Sequence, residues 1–315
     1  MSPVRVEIYA PKHKVDWDEF VRRSKNGVFL FYRDYLEYHA DRFHDYSLLF
    51  LADDQLVALL PANLTGGTVV SHGGLTFGGL VTDQRMKTPL MLEVFSALTD
   101  HLRAGGIKKL IYKAIPHIYH TLPAEEDLYA LFRYNASLFR RDVSSTVSKG
   151  RKIPLAKGRR HGLNRGKEQG LEVARSYEFT KFMALAEANK EARFGVRLVH
   201  TAAEIELLAS RFPENIKLFT AHYHGELLGG YIIYESPNVA HAQYVGVTDD
   251  AKGFGVLDYI LDILLNEIYL EKPYFDFGIS TVDEGRTLNE GVIRYKESYG
   301  ARATVYDFYE LNLET

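Results

Sequence analysis

The sequence predicts an α/β protein in which one order of strands and helices occurs twice. Three observations predict it. A hairpin pattern stands at residues 47–62 and again at 217–234. An amphipathic helix pattern follows each hairpin. Further strand patterns separate the helices, which is the alternation of an α/β chain rather than segregated strands and helices.

Each element has its own reason. In "SLLFLADDQLVALLPA" (47–62), two apolar runs flank a polar turn at Asp53 and Asp54. In "KLFTAHYHGELLGGYIIY" (217–234) the turn is His224-Gly225. A third strand pattern follows in both halves, at 67–81 and 239–247. Apolar residues at helical spacing then predict helices over 89–104 and 256–270. Strands are expected at 108–115 and 273–280, second helices at 125–139 and 289–300, and closing strands at 143–148 and 303–313. Between the halves, "KGRKIPLAKGRRHGLNRGKEQG" (149–170) holds Lys149, Arg151, Lys152, Lys157, Arg159, Arg160, Arg165 and Lys167 against one acid, Glu168. It reads as a solvated linker and helix face, or as a cationic wall for a phosphate.

The chain has 315 residues and is 46% hydrophobic, enough for two cores. Its net charge of −3 exerts no global pull on nucleic acid or membrane. There is no cysteine, so thiolate nucleophiles and cysteine metal sites are excluded. The N-terminus lacks an apolar signal core, and no apolar run approaches the ~20 residues of a membrane span. No paired histidine-acid signature suggests a metal. The expectation is a cytoplasmic protein without a metal.

The stretch "YVGVTDDAKGFGVLDYILDILLNEIYL" (244–270) reads as strand, glycine turn and helix. A helix start offers free N–H groups and a positive dipole end, so such a turn can hold an anion. The Lys-Ser/Thr pair of a P-loop is missing. The turn resembles that of the GNAT superfamily of acyl-CoA-dependent N-acyltransferases, in which Gln/Arg-x-x-Gly-x-Gly/Ala grips the pyrophosphate of coenzyme A. Gly253 and Gly255 match the small positions; Asp250 stands at the first one, with Lys252 nearby. "NEGVIRYKESYGA" resembles a second family stretch, Asn-x-x-Ala-x-x-x-Tyr-x-x-x-Gly-Phe, through Asn289, Val292, Lys296 and Gly300. Lys296 stands where the family has the tyrosine that protonates the leaving thiolate. Over its full length the doubled chain with its basic connector resembles the FemAB-like branch, and within it the tandem-GNAT sugar N-acyltransferases.

The resemblance implies two tandem GNAT-like domains, each a mixed twisted sheet flanked by helices. Residues 1–148 are the expected acceptor-recognition domain, 149–170 a basic connector, and 171–315 the acyl-CoA domain. It implies transfer of an acyl group from acyl-CoA, as co-substrate, to the amine of a nucleotide-linked amino sugar such as a dTDP-amino-dideoxyhexose, for surface polysaccharide. Gly246, Val247, Lys252, Gly253, Phe254, Gly255 and Asn289 are the expected coenzyme A residues. Lys296 or Tyr299 is the expected acid.

The base is sought among histidines, which titrate near neutral pH. His72 lies among glycines in "VVSHGGLTFGGL", and His117 and His120 lie just past a strand end. His241 falls inside the third strand of the second half. His72 and His120 are preferred, because the first half has no glycine turn and is expected to bind the acceptor. Asp276 is a further candidate. In "FLFYRDYLEYHADRF" (29–43), Tyr32 and Arg33 could stack a base and clamp a diphosphate, with His117, Arg159 and Arg160 as further substrate contacts. An amphipathic helix packing its aromatic face on the core explains 29–43 more cheaply. Two other functions stay open: a FemAB-like transfer from aminoacyl-tRNA, and a non-catalytic GNAT-like ligand-binding protein. No membrane partner is expected, the sequence argues against nucleic acid, and a homodimer is left open.

Overall fold

In this computed structural model residues 3–151, 153–251 and 253–314 are described. In chain order the elements are β1 (Arg5–Ile8), α1 (Lys14–Arg23), α2 (Arg33–Leu36), β2 (Leu48–Ala52), β3 (Gln55–Leu60), β4 (Asn63–Thr65), β5 (Thr68–Val70), β6 (Val81–Thr82), α3 (Thr88–Ala104), β7 (Lys109–Lys113) and α4 (Glu126–Arg133). Then follow β8 (Ser137–Ser148), α5 (Lys157–Glu168), β9 (Glu172–Ser176), α6 (Phe179–Phe194), α7 (Ala202–Arg211), β10 (Ile216–Tyr223), β11 (Glu226–Glu235), β12 (Val239–Val247), α8 (Val256–Ile263), β13 (Tyr274–Ile279), α9 (Glu290–Glu297) and β14 (Arg302–Asn312). The fold is a mixed α/β one.

The chain forms two compact units. The first holds residues 1–142, 281–287 and 305–315; the second holds 143–280 and 288–304. The basic stretch expected as a connector thus lies in the second unit, while residues 305–315 of the expected second domain lie in the first.

In the first unit an antiparallel sheet runs β1-β2-β3-β6. Its hairpin pairs Leu48 with Leu60, and the turn residues Asp53 and Asp54 take left-handed φ angles of 47° and 57°. Asp tolerates that region better than most residues, which is why this polar pair can reverse the chain. Further strands run β4, β5, β7 and residues 305–312 of β14, with β5 and β7 parallel and β7 and β14 antiparallel. Helix α3 opens with a proline in its first turn and closes on His101 and Arg103, the favourable arrangement for its dipole. Its Val94, Phe95, Leu98 and Leu102 are fully buried with Phe50, Leu60 and Tyr112. Each such side chain contributes roughly 1.5–3 kcal/mol of burial.

In the second unit residues 143–148 of β8 begin a sheet that continues β13-β12-β11-β10-β9. Among the described residues of this sheet only the β12–β13 pair is parallel. Ile260 and Leu261 of α8, with Leu264 just after it, are buried with Ala240, Ile233 and Phe275. Helix α7 starts with a capping box, in which Thr201 accepts from the Glu204 amide while the Glu204 carboxylate accepts from the Thr201 amide.

Four expectations need correction. The strand expected over 67–81 exists only as β5 and β6; residues 71–80 form a loop tied to β7 by Gly78 N–H to Lys113 O (2.9 Å) and Leu80 N–H to the Tyr112 hydroxyl (2.7 Å). The helix expected over 125–139 stops at Arg133, because Asn135 turns left-handed at φ 56° and β8 begins at Ser137. Residues 29–43 are not one amphipathic helix but a 3-10 turn at Phe29–Phe31 and the single turn α2. The basic stretch is no bare linker: its residues 157–168 form α5, the helix face the sequence allowed, and this helix packs on α8.

Candidate functional site

In the second unit β12 and β13 pair over only three positions: Val239 with Tyr274, Ala240 with Phe275 and His241 with Asp276. Beyond that point the two strands part. β12 runs on to Val247, paired with β11, and carries a bulge: Tyr244 faces Ile232 and Ala242 faces Ile233, leaving Gln243 as the extra residue. β13 shifts register between Asp276 and Ile279, where Gly278 has a φ of 76°. A β-carbon on Gly278 would come within 3.3 Å of the His241 ring, so glycine there leaves the imidazole its room.

The last paired position carries two functional groups. Asp276 is fully buried; its carboxylate accepts from Ser144 Oγ (2.5 Å), Thr146 Oγ1 (2.9 Å) and His241 Nδ1 (2.8 Å). Burial would raise the Asp276 pKa, but the bonds and charge of His241 and the two hydroxyls outweigh it and hold the carboxyl below its ordinary value. A carboxylate only accepts, so His241 must carry its proton on Nδ1. Its Nε2 then has a lone pair to accept a proton. The serine and threonine come from β8, which pairs antiparallel with β13.

Lys296, on α9, ends beside this pair. Its Nζ donates to Gly278 O (2.7 Å), Ile279 O (2.8 Å) and Ser280 Oγ (2.9 Å). All three of its hydrogens are thereby placed on the bulged end of β13. Burial pushes its pKa down to about 8, with Asp276 opposing. Tyr299 lies in a second cluster: its hydroxyl donates to Asp258, lies 3.2 Å from the Tyr295 hydroxyl, and is 3.4 Å from Arg159 Nη1. Burial, with Tyr295 and Asp258, raises the Tyr299 pKa far above that of an ordinary phenol. Arg159 also bonds Asp258 at 3.1 Å.

The glycine turn is closed on one side. Gly255 caps the start of α8 at φ 71°, and a β-carbon there would overlap the carbonyl of Gly162 in α5. Gly253, at φ 95°, faces open space except for Arg165, whose Nη1 donates to the Gly253 carbonyl at 2.8 Å. Phe254 is half-buried against Tyr223, and Lys252 lies outside the described residues. Asn289 caps α9 by accepting from the Val292 amide at 3.1 Å. Gly246 lies under the backbone of Ala186 in α6, and the Val247 amide donates to Asn189 Oδ1 at 2.7 Å. Arg160 is exposed.

The remaining sequence candidates belong to the first unit. His72 is buried beside His39 and Phe43; burial, then the neighbouring His39, pushes its pKa down to about 3. It stays neutral, with Nδ1 accepting from the Gly74 amide at 3.2 Å. Arg33, also buried, bonds Glu37 (3.0 Å), Ser47 (3.2 Å) and Asp45, and its guanidinium lies 3.6 Å from the centre of the Tyr9 ring. His72 and Arg33 line one cavity of about 230 Å³. Tyr32 is half-buried and its hydroxyl pKa raised by burial. His120 Nε2 donates to Ile115 O at 3.0 Å, burial pushes its pKa down to about 4, and His117 is exposed.

The structure therefore brings Asp276 and Lys296 together, and Tyr299 with Arg159. Sequence reasoning did not join His241 to Asp276, nor name Ser144, Thr146 or Asp258. The signal that could have joined them is the strand–helix–strand order of 239–247, 256–270 and 273–280, which favours parallel neighbours and makes polar residues on both strands candidates for pairing.

Residues 149–297 match the acetyltransferase (GNAT) domain family. No curated protein matches the sequence. Among solved structures the fold is similar to FemX, with a TM-score of 0.68 at 11% identity over 96% of each chain. It is similar to L-PGS from Bacillus licheniformis, with a TM-score of 0.59 at 14% identity over 98% of this chain and 94% of that one. A tandem GNAT protein from the clavulanic acid biosynthesis pathway gives a TM-score of 0.50 at 11% identity over 99% of each chain. Among the described residues no group could hold a metal ion and no helix is long and apolar enough to cross a membrane. The chain thus has a tandem GNAT-like fold, and its residues 149–297 are similar to the acetyltransferase (GNAT) domain family.

Proposed function

We propose that this protein is an N-acyltransferase that moves an acyl group from acyl-CoA to the amine of a nucleotide-linked amino sugar. The observation that carries the acyl-transfer reading is the parting of β12 and β13 at the His241–Asp276 pair. An opened edge of β12 offers backbone N–H groups to a thioester carbonyl, and a base stands at the point of opening.

The chemistry balances without a covalent enzyme intermediate. His241 Nε2 takes a proton from the acceptor ammonium, and Asp276 stabilises the imidazolium and fixes its orientation. The neutral nitrogen attacks the thioester carbon, a C–N bond forms, and the C–S bond breaks with its electron pair leaving on sulfur. The nitrogen's remaining surplus proton goes to solvent or to the thiolate. Lys296 holds the bulge that sets the His241 ring, and its charge lies near the reacting centre. Gly253 and its neighbours receive the pyrophosphate of the donor, and the sugar acceptor follows from the sequence resemblance.

The test is release of thiol. The protein is mixed with a panel of acyl-CoAs, with and without nucleotide-linked amino sugars, and a thiol reagent reports free coenzyme A. With no cysteine the protein adds no background. Sugar-dependent release supports the reading; no release with any pair, and no change in coenzyme A affinity in Gly253→Val, overturns it.

A second reading, transfer from aminoacyl-tRNA, draws support from α5. Arg159, Arg160, Arg165 and Lys167 lie on this helix, which closes one side of the glycine turn. It requires RNA binding that weakens steeply as salt rises.

A further inference from the structure

The second unit contains a cavity of about 300 Å³ beneath residues 197–202, away from the glycine turn in sequence. Met183 and Glu187 of α6 form one wall; Arg197, Leu198 and His200 form the other. The cavity is tied to β12, because His200 Nδ1 lies 2.6 Å from the Tyr244 hydroxyl. Glu187 Oε2 accepts from the Leu198 amide at 2.9 Å, which holds the two walls together.

The bulge at Gln243 decides which face of the sheet this cavity shares. Ala240 and Ala242 pack in the core with α8. Gly246 lies against α6, and Tyr244 reaches His200. In an unbroken strand His241 and Tyr244 would point to opposite faces. One extra residue between them turns both to the α6 face. Tyr244, which bonds the lining residue His200, and the His241–Asp276 pair are then about 10 Å apart at most along one strand.

We propose that this cavity binds the amino end of the acceptor: a primary ammonium with an anionic group a few bonds away. Glu187 has lone pairs left after its one bond and takes the ammonium. Arg197 takes the carboxylate or phosphate, in the geometry that favours arginine for such groups. Met183 and Leu198 contact the carbon skeleton. A free amino acid and a phosphorylated amino sugar share this chemistry. The role as acceptor rests on the acyl-transfer reading; the binding itself does not.

The test is calorimetric titration without any acyl donor. L-serine and glucosamine 6-phosphate are the two probes, and N-acetylserine and N-acetylglucosamine 6-phosphate are their controls. At least one amine is expected to bind, at least tenfold tighter than its acetylated control. Glu187→Gln keeps an oxygen for the Leu198 amide and should weaken that amine at least tenfold. Arg197→Met, at an exposed position, should weaken it as well without touching the core. Binding of serine alone assigns an amino acid, and of the sugar phosphate alone an amino sugar. No binding of either amine, or equal binding by wild type and both variants, overturns the cavity assignment. Thiol release that persists with an unchanged acceptor KM in Glu187→Gln removes the cavity and leaves acyl transfer standing. Amine binding with no thiol release from any donor does the reverse.

Discussion

Each unit sets a histidine beside a lysine, buried in the first and half-buried in the second, and the two histidines have different partners. His72, in the first unit, is enclosed by His39 and Phe43 and has lost its affinity for a proton. His241, in the second, has a buried carboxylate on Nδ1 and room at its ring from Gly278. The lysines are used alike. Lys113 donates to the carbonyls of His72 and Leu75, and Lys296 to those of Gly278 and Ile279. Each pins the backbone that carries or faces a histidine. What separates a histidine that packs from one that can work is the carboxylate, because an imidazole buried without one cannot afford the charge.

The largest expected effect would break this comparison if it failed. His241→Asn should lower kcat about a thousandfold in the thiol-release assay, within the range for loss of a general base. Asp276→Asn should lower it about a hundredfold, because the hydroxyls of Ser144 and Thr146 still hold the side chain. His72→Asn should cost at least a hundredfold less than His241→Asn. Equal losses from both histidines would mean that the first unit supplies the base.

Acid sharpens the comparison from the side of stability. The His72 pKa lies at about 3 in the folded chain, below its ordinary unfolded value. Between those values the unfolded chain binds more protons, so stability falls as pH falls from about 6.5 towards 3. His120, at about 4, acts in the same direction, while Asp127, raised to about 6 by burial, acts in the opposite one. Comparing wild type with His72→Gln isolates the single group. The stability difference should shrink by roughly 3 kcal/mol between pH 6.5 and 4. Trp17, the single tryptophan, is buried in the first unit, so its fluorescence in denaturant titrations reads that unit. A constant difference across this window would show that His72 is hydrated in the folded protein.

The smallest expected effects compare the lysines. Lys113→Met and Lys296→Met each strip buried carbonyls of their donor and should each cost about 2 kcal/mol in a denaturant titration. Only Lys296→Met should also lower kcat, by about tenfold, through a looser His241 ring. An activity loss of the same size from Lys113→Met would erase the distinction between a packing lysine and a positioning one.

Much of this was readable locally. Asp53-Asp54 and His224-Gly225 announce their hairpins, and Asp53, Asp54, His224 and Gly225 all adopt positive φ. The spacing of Val94, Leu98 and Leu102 places α3. Local signals fail where a distant contact decides. Nothing near Asn135 shows that Ser137 will pair in a sheet. The glycines of α5 argue against a helix on propensity alone, yet Gly162 and Gly166 are what let it lie close to Asp258 and Tyr259 of α8. His241 and Asp276 were both visible as strand residues, but their partnership depends on a parallel register that no short stretch contains.

The pairing of β7 with β14 has a consequence for how the molecule is made. Phe308 stands opposite Lys113 and Leu311 opposite Leu110, and Leu311 and Leu313 belong to the core of the first unit. A ribosome synthesises residues 1–142 early, but their sheet lacks this strand until residue 313 has emerged. The unit begun by residues 1–142 is thus completed only after the second unit has been synthesised, and through that interval β7 lacks its antiparallel partner.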